Sequence, residues 1–127
     1  MDITNKSNIK HLEVGKFYFI HDGSKTGHPG YLVWKDDDAN RYLFVRFDSD
    51  KFDVEKTKEQ RGVKHITKLK HPTSDKVMNS YVHNRPMICR RKDIGTELRY
   101  LYISSEDVGT IKNISIGKPE FAPSFRK

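Results

Sequence analysis

The chain has 127 residues, 35% of them hydrophobic and 32% charged, with a net charge of +7 and a single cysteine, Cys89. That length supports one modest core and excludes two independent ones, and one cysteine excludes an internal disulfide, which fits a cytoplasmic setting. No apolar run approaches the roughly 18 residues of a membrane span, and residues 1–10 lack the hydrophobic block of a secretory signal.

In chain order, the polar residues 1–10 come first and are expected to fray. Aromatic and β-branched runs follow at Lys16 to His21, Tyr31 to Trp34, Arg41 to Phe47, Val63 to Leu69 and Met87 to Arg91. They are separated by turn formers and read as strands. Asp36, Asp37, Asp38, Ala39 and Asn40 have the composition of a hairpin loop, and the three aspartates lack calcium-loop spacing. In the run after that loop, Leu43, Val45 and Phe47 share one face, and Tyr42, Phe44 and Arg46 the other. One face is expected to be core. The other, aromatic and cationic, either stacks a base or lines a second packing layer.

Helical signals are short: Thr73 or Ser74 can cap a turn through Met78, and Ser104 with Asp107 has capping-box spacing. Leu98 to Ile103 is ambiguous but favours strand. Residues 118–127 are polar or Pro-interrupted, so residues 11–117 are expected to form a single domain between peripheral or flexible tails. Five or six short strands with one or two short helices predict a mainly β fold, a small, strongly bent barrel.

Charge is uneven along the chain. The segment Lys56 to Lys92 holds 11 of the 24 Lys and Arg residues but only two acids, Glu59 and Asp75, so it is +9 and the remainder −2. Such asymmetry points to a polyanion, RNA above all, because neutralising phosphates releases counterions. Within and near it, His65, Lys68, Lys70, His71, Ser80, Tyr81, His83 and Arg85 mix donors, cations and an aromatic, as expected of a groove that follows single-stranded RNA. Tyr42 and Arg46 join them as candidate RNA-binding residues. Cys89, in an apolar stretch, reads as a buried structural thiol.

The six histidines form neither an HxxxH pair nor a framework with cysteine, and there is no P-loop, GxGxxG or GxSxG motif. No metal and no cofactor is therefore expected. Cleavage of RNA by its own 2′-hydroxyl needs a base, an acid and a donor to the phosphorane. If neighbouring strands bring Thr26 to Gly30 beside Phe47 to Lys51, then His28, Ser49 and Lys51 meet that need, with His83 a second proton carrier. On spacing alone, the simpler reading is that Gly27, Pro29 and Gly30 form a plain turn and Ser49 caps a bend.

At these residues the chain resembles the PemK/MazF-like toxins, small β-barrels that include ToxN-type endoribonucleases. Glu13 to Tyr18 is similar to the family's opening G-x-x-Y strand, and Gly27, His28, Pro29 and Tyr31 to Val33 to its G-x-RP-x-LV segment. Ser49 falls where the family often has Thr or Ser, Lys51 near the Lys of ToxN-type members, and His28 replaces the family's Arg. The resemblance spans roughly Glu13 to Leu101. It implies an SH3-like or PemK-like barrel, a single-stranded RNA substrate, an antitoxin protein or RNA as partner, and possible oligomers. Three classes of function follow: a metal-independent endoribonuclease, a non-catalytic nucleic-acid-binding module, and a phage or plasmid protein-interaction inhibitor.

Overall fold

The computed structural model describes residues 11–49, 63–70, 77–99, 101–103 and 105–125. Its strands are β1 (Phe17–Ile20), β2 (His28–Asp36), β3 (Arg41–Ser49), β4 (Val63–Lys70), β5 (Val77–His83), β6 (Met87–Cys89), β7 (Ile94–Glu97), β8 (Tyr102–Ile103) and β9 (Glu120–Phe121). One helix, α1 (Ser105–Ser115), lies between β8 and β9. Each of the five β-like runs in the sequence contributes a strand, as aromatic and β-branched side chains fit a pleated, half-buried surface.

Seven strands follow the order β7-β1-β2-β3-β5-β4-β8, with β6 and β9 branching from β3. The β2–β3 hairpin aligns Tyr31 with Val45 and Asp36 with Arg41. The Asp36 carboxylate accepts from Ala39 N–H, while Asn40 adopts a positive φ of 55°. Asn and Asp tolerate and brace such turns, so the hairpin loop forms where composition placed it.

Along its other edge β3 changes neighbours. Tyr42, Leu43 and Phe44 pair with Cys89, Ile88 and Met87 of β6, whereas Phe47, Asp48 and Ser49 pair with Val82, Tyr81 and Ser80 of β5. Among the described residues, Val45 and Arg46 have no ladder partner on that edge. The connection His83 to Pro86 crosses the resulting fork.

Both faces of β3 are buried. Tyr42 and Phe44 join Leu12, Tyr18, Ile20, Leu32, Met87, Cys89 and Ala122 in one core. Val45 and Phe47 join Phe17, Val82, Leu101, Ile111 and Ile114 in another. Burying each Phe or Leu contributes about 1.5–3 kcal/mol. The i, i+3 pair Ile111 and Ile114 is the apolar stripe by which α1 attaches. The aromatic and cationic face of β3 thus lines a second packing layer. Tyr42 is 4% exposed and donates its hydroxyl to Asp37 at 2.8 Å. A ring so enclosed offers no face to a base, which corrects the stacking role expected for it.

Three further expectations change. The sheet is not a closed barrel, for its terminal strands β7 and β8 do not pair with each other. Residues 118–125 are not a loose tail: β9 runs parallel to β6, Glu120 N–H donates to the Pro86 carbonyl and Ala122 N–H to that of Ile88, and Ala122 is fully buried. Phe125 packs on the first core, and Ser124 Oγ hydrogen-bonds Asp93. Finally, among the described residues of the run from Leu98, only Tyr102 and Ile103 form strand. Ser104 and Thr73 to Lys76 lie outside the described residues, while Val77 and Met78, expected in the capped turn, instead open β5. No described helix is long and apolar enough to cross a membrane.

Candidate functional site

The segment Asp22 to His28 folds on its own side chains. Asp22 Oδ1 accepts from Ser24 N–H at 3.2 Å and from Ser24 Oγ at 2.6 Å, and Ser24 Oγ accepts from Gly27 N–H at 3.0 Å. Gly27 sits at φ +72°, where a Cβ would stand 2.4 Å from the Phe19 ring. Glycine is therefore required for the chain to turn into β2, and the turn delivers His28 at the first position of that strand. His28 Nδ1 lies 2.6 Å from Asp22 Oδ2 and 3.3 Å from Ser24 Oγ.

Asp22 is the electrostatic centre. Its side chain is 1% exposed, and Arg46 Nη1 donates to the same Oδ2 at 3.2 Å. Burial pushes the Asp22 carboxyl up, yet hydrogen bonds from His28 and Ser24 outweigh it and hold the group well below the ordinary carboxylate range. An ionised carboxylate only accepts, so Nδ1 of His28 carries a proton, and in the neutral form of the ring the lone pair falls on Nε2.

The fork beside β3 brings the remaining groups. His83, at the end of β5, packs edge-on against His28 with ring centroids 5.1 Å apart. Arg46 Nη2 hydrogen-bonds Glu120, whose other oxygen lies 3.7 Å from Arg85 Nη1. Arg85 also donates to the Lys118 and Pro119 carbonyls at 3.2 and 3.1 Å. Asp22, Ser24, His28, Arg46, His83, Asn84, Arg85 and Glu120 together line an open cleft of about 390 Å³. It holds two imidazoles, two guanidiniums and two carboxylates: general acid–base groups beside cations that suit an oxyanion. Among the described residues no three His, Cys, Asp or Glu side chains are grouped to ligate a metal.

Of the candidates read from sequence, the structure brings together His28, His83, Arg46 and Arg85. Ser49 pairs through its backbone with Ser80, and His65 with Tyr81. For these four, and for Lys68 and Lys70, strand placement alone is described, while Lys51 and His71 lie outside the described residues. Sequence reasoning missed Asp22, Ser24, Asn84 and Glu120. The first two carried a signal in the Asp-Gly-Ser stretch ahead of Gly27, whose polar side chains fold back on the backbone. Cys89 is fully buried, and burial pushes its thiol far up, as expected of a structural residue. Comparison with known protein families, with characterised proteins and with solved structures gave no match, so the cleft is read from its own geometry.

Proposed function

We propose that the cleft binds single-stranded RNA at a backbone phosphate and cleaves it by metal-independent transphosphorylation. The observation that carries the reading is the Asp22–His28 pair, set with its ring 5.1 Å from a second imidazole, His83, in a cleft that also holds Arg85. His28 Nε2 takes the proton of the 2′-hydroxyl, the 2′-oxygen attacks phosphorus, and the bond from phosphorus to the 5′-oxygen breaks. Protonated His83 gives its proton to that leaving oxygen. The products are a 2′,3′-cyclic phosphate and a 5′-hydroxyl. Arg85, with its side chain 50% exposed, meets the charge on the phosphorane, while buried Arg46 braces Asp22 with a hydrogen bond.

The finer reading follows the resemblance: a PemK/MazF-like, toxin-type endoribonuclease, cytoplasmic, countered by an antitoxin protein or RNA. Because the sheet is open at β7 and β8, the likeness is one of strand pattern rather than of a closed SH3-like barrel. The basic segment 56–92 would supply salt-sensitive affinity along the strand.

The test is incubation of the pure protein with labelled RNA in the presence of chelator, followed by analysis of product ends. Cyclic phosphate ends support the proposal. Salt-sensitive binding with no cleavage across varied RNAs and pH identifies a non-catalytic binding module instead, and saturable binding to a protein at high salt an interaction inhibitor.

A further inference from the structure

Glu120 is an unusual wall for a phosphate site, because its carboxylate is paired with both arginines of the cleft. We propose that it fills an anion subsite between Arg46 and Arg85 that belongs to a phosphate of the bound nucleic acid strand, so that the folded chain holds its own cleft occupied until a phosphodiester displaces the side chain. This inference rests on reading the cleft as a phosphate-handling site.

Four observations support it. Two oxygens shared between two guanidiniums is a pattern that a phosphodiester satisfies as readily as a carboxylate. The charge balance survives the exchange: Asp22 already partners Arg46, and a phosphodiester entering as Glu120 leaves replaces one negative charge with another. The existing arrangement is also incomplete, since Arg46 gives one N–H to each carboxylate and its buried Nε has no acceptor among the described residues. Once Glu120 is gone, the guanidinium can present Nε with an Nη as a fork to a single partner. Lastly, the Glu120 side chain is 36% exposed while its backbone is fixed on β6 and Ala122 is buried behind it. The carboxylate can therefore swing into solvent by rotamer change, with the segment 118–125 still docked.

The experiment uses the full chain and two probes that cannot be cleaved, inorganic phosphate and a single-stranded 2′-deoxy oligonucleotide, with binding followed by calorimetry. Glu120→Gln keeps the shape and removes the competing charge, and should tighten binding of both probes by about tenfold. A gain for phosphate but none for the oligonucleotide would overturn the assignment to a strand's phosphate. Unchanged or weaker binding of both, in a variant with wild-type circular dichroism, would overturn the subsite altogether. Should Glu120→Gln fail to fold, the wild-type protein decides: the Glu120 side-chain carboxyl carbon resonance should move as phosphate titrates the His28 ring, and a stationary resonance overturns the proposal. The two readings separate cleanly. Tightened binding without RNA cleavage by any form supports the subsite and removes the reaction, whereas cleavage by wild type with unaltered anion binding in Glu120→Gln removes the subsite and keeps the reaction.

Discussion

Two polar turns flank β2, and both are braced by aspartates. In the hairpin loop after it, Asp36 accepts from Ala39, and Asp37 takes the Tyr42 hydroxyl and lies 3.0 Å from Lys35. The Asp37 side chain is 50% exposed, and its partners hold it modestly below its ordinary value, Lys35 foremost. In the turn before β2, Asp22 makes the same kind of local bonds but is buried, and its remaining oxygen faces an imidazole and a guanidinium. Solvent screens the first carboxylate, so its bonds shape a turn and little else. Burial leaves the second dependent on its partners, which makes it able to orient a titratable ring. A carboxylate in a turn therefore becomes a functional candidate through what it meets after burial, not through its local motif.

The largest effect that would break this contrast is catalytic. His28→Ala should lower the rate of RNA cleavage by roughly 10² to 10⁴ while melting temperature and RNA affinity stay close to wild type, because general acid–base help acts in the transition state. Cleavage at full rate would shift the reaction onto other groups. Next comes Arg46→Met, which leaves Asp22 and Glu120 without their shared cation and should cost about 3–5 kcal/mol in denaturant unfolding. A loss under ~1 kcal/mol would place Arg46 with the weak surface pairs of the hairpin loop.

The pH dependence sharpens the comparison further. The folded-state pKa of Asp22 is depressed, so its stabilising contribution is complete above its ordinary value of 3.8 and is lost as pH falls below it. Wild type should show an acid limb in stability below about pH 4 that is visibly flattened in Asp22→Asn, whereas Asp37→Asn should leave that limb nearly unchanged. Gly27→Ala should follow at about 1–3 kcal/mol, from the left-handed backbone and the collision with Phe19, with a larger proportional loss of activity than of stability as His28 is misaimed. Smallest of all, Asp37→Ala should cost under ~1 kcal/mol and leave cleavage intact.

The strands and the hairpin loop were legible because their cause is local: alternating aromatic and β-branched residues, and Asp and Asn in a tight turn. His28 and His83 were legible as chemistry, being imidazoles beside turns, but their meeting was not, since it depends on β3 exchanging β6 for β5. The face of Arg46 stayed open between base stacking and a second packing layer, because the strand's period reveals which side chains share a face and not whether a layer covers it. Glu120 carried no signal at all. Residues 118–125 look like a loose end in composition, and they are held by backbone and side-chain hydrogen bonds, the buried Ala122 and the Phe125 ring, none of which has a periodic signature.

Arg46 and Glu120 are 74 positions apart in the chain, and the residues that close the cleft are among the last of the described sequence to be synthesised. The β2–β3 hairpin, the turn holding His28 and the strand ending in His83 can all assemble from local pairings while translation is still under way. Their cleft gains its final wall only after the ribosome has passed Glu120 and β9 has reached β6. A fragment ending before residue 118 would keep both imidazoles and both guanidiniums but lack the carboxylate that spans Arg46 and Arg85. Under the proposed reaction, the interval between those two moments is when a nascent chain would hold its phosphate subsite unfilled closest to messenger.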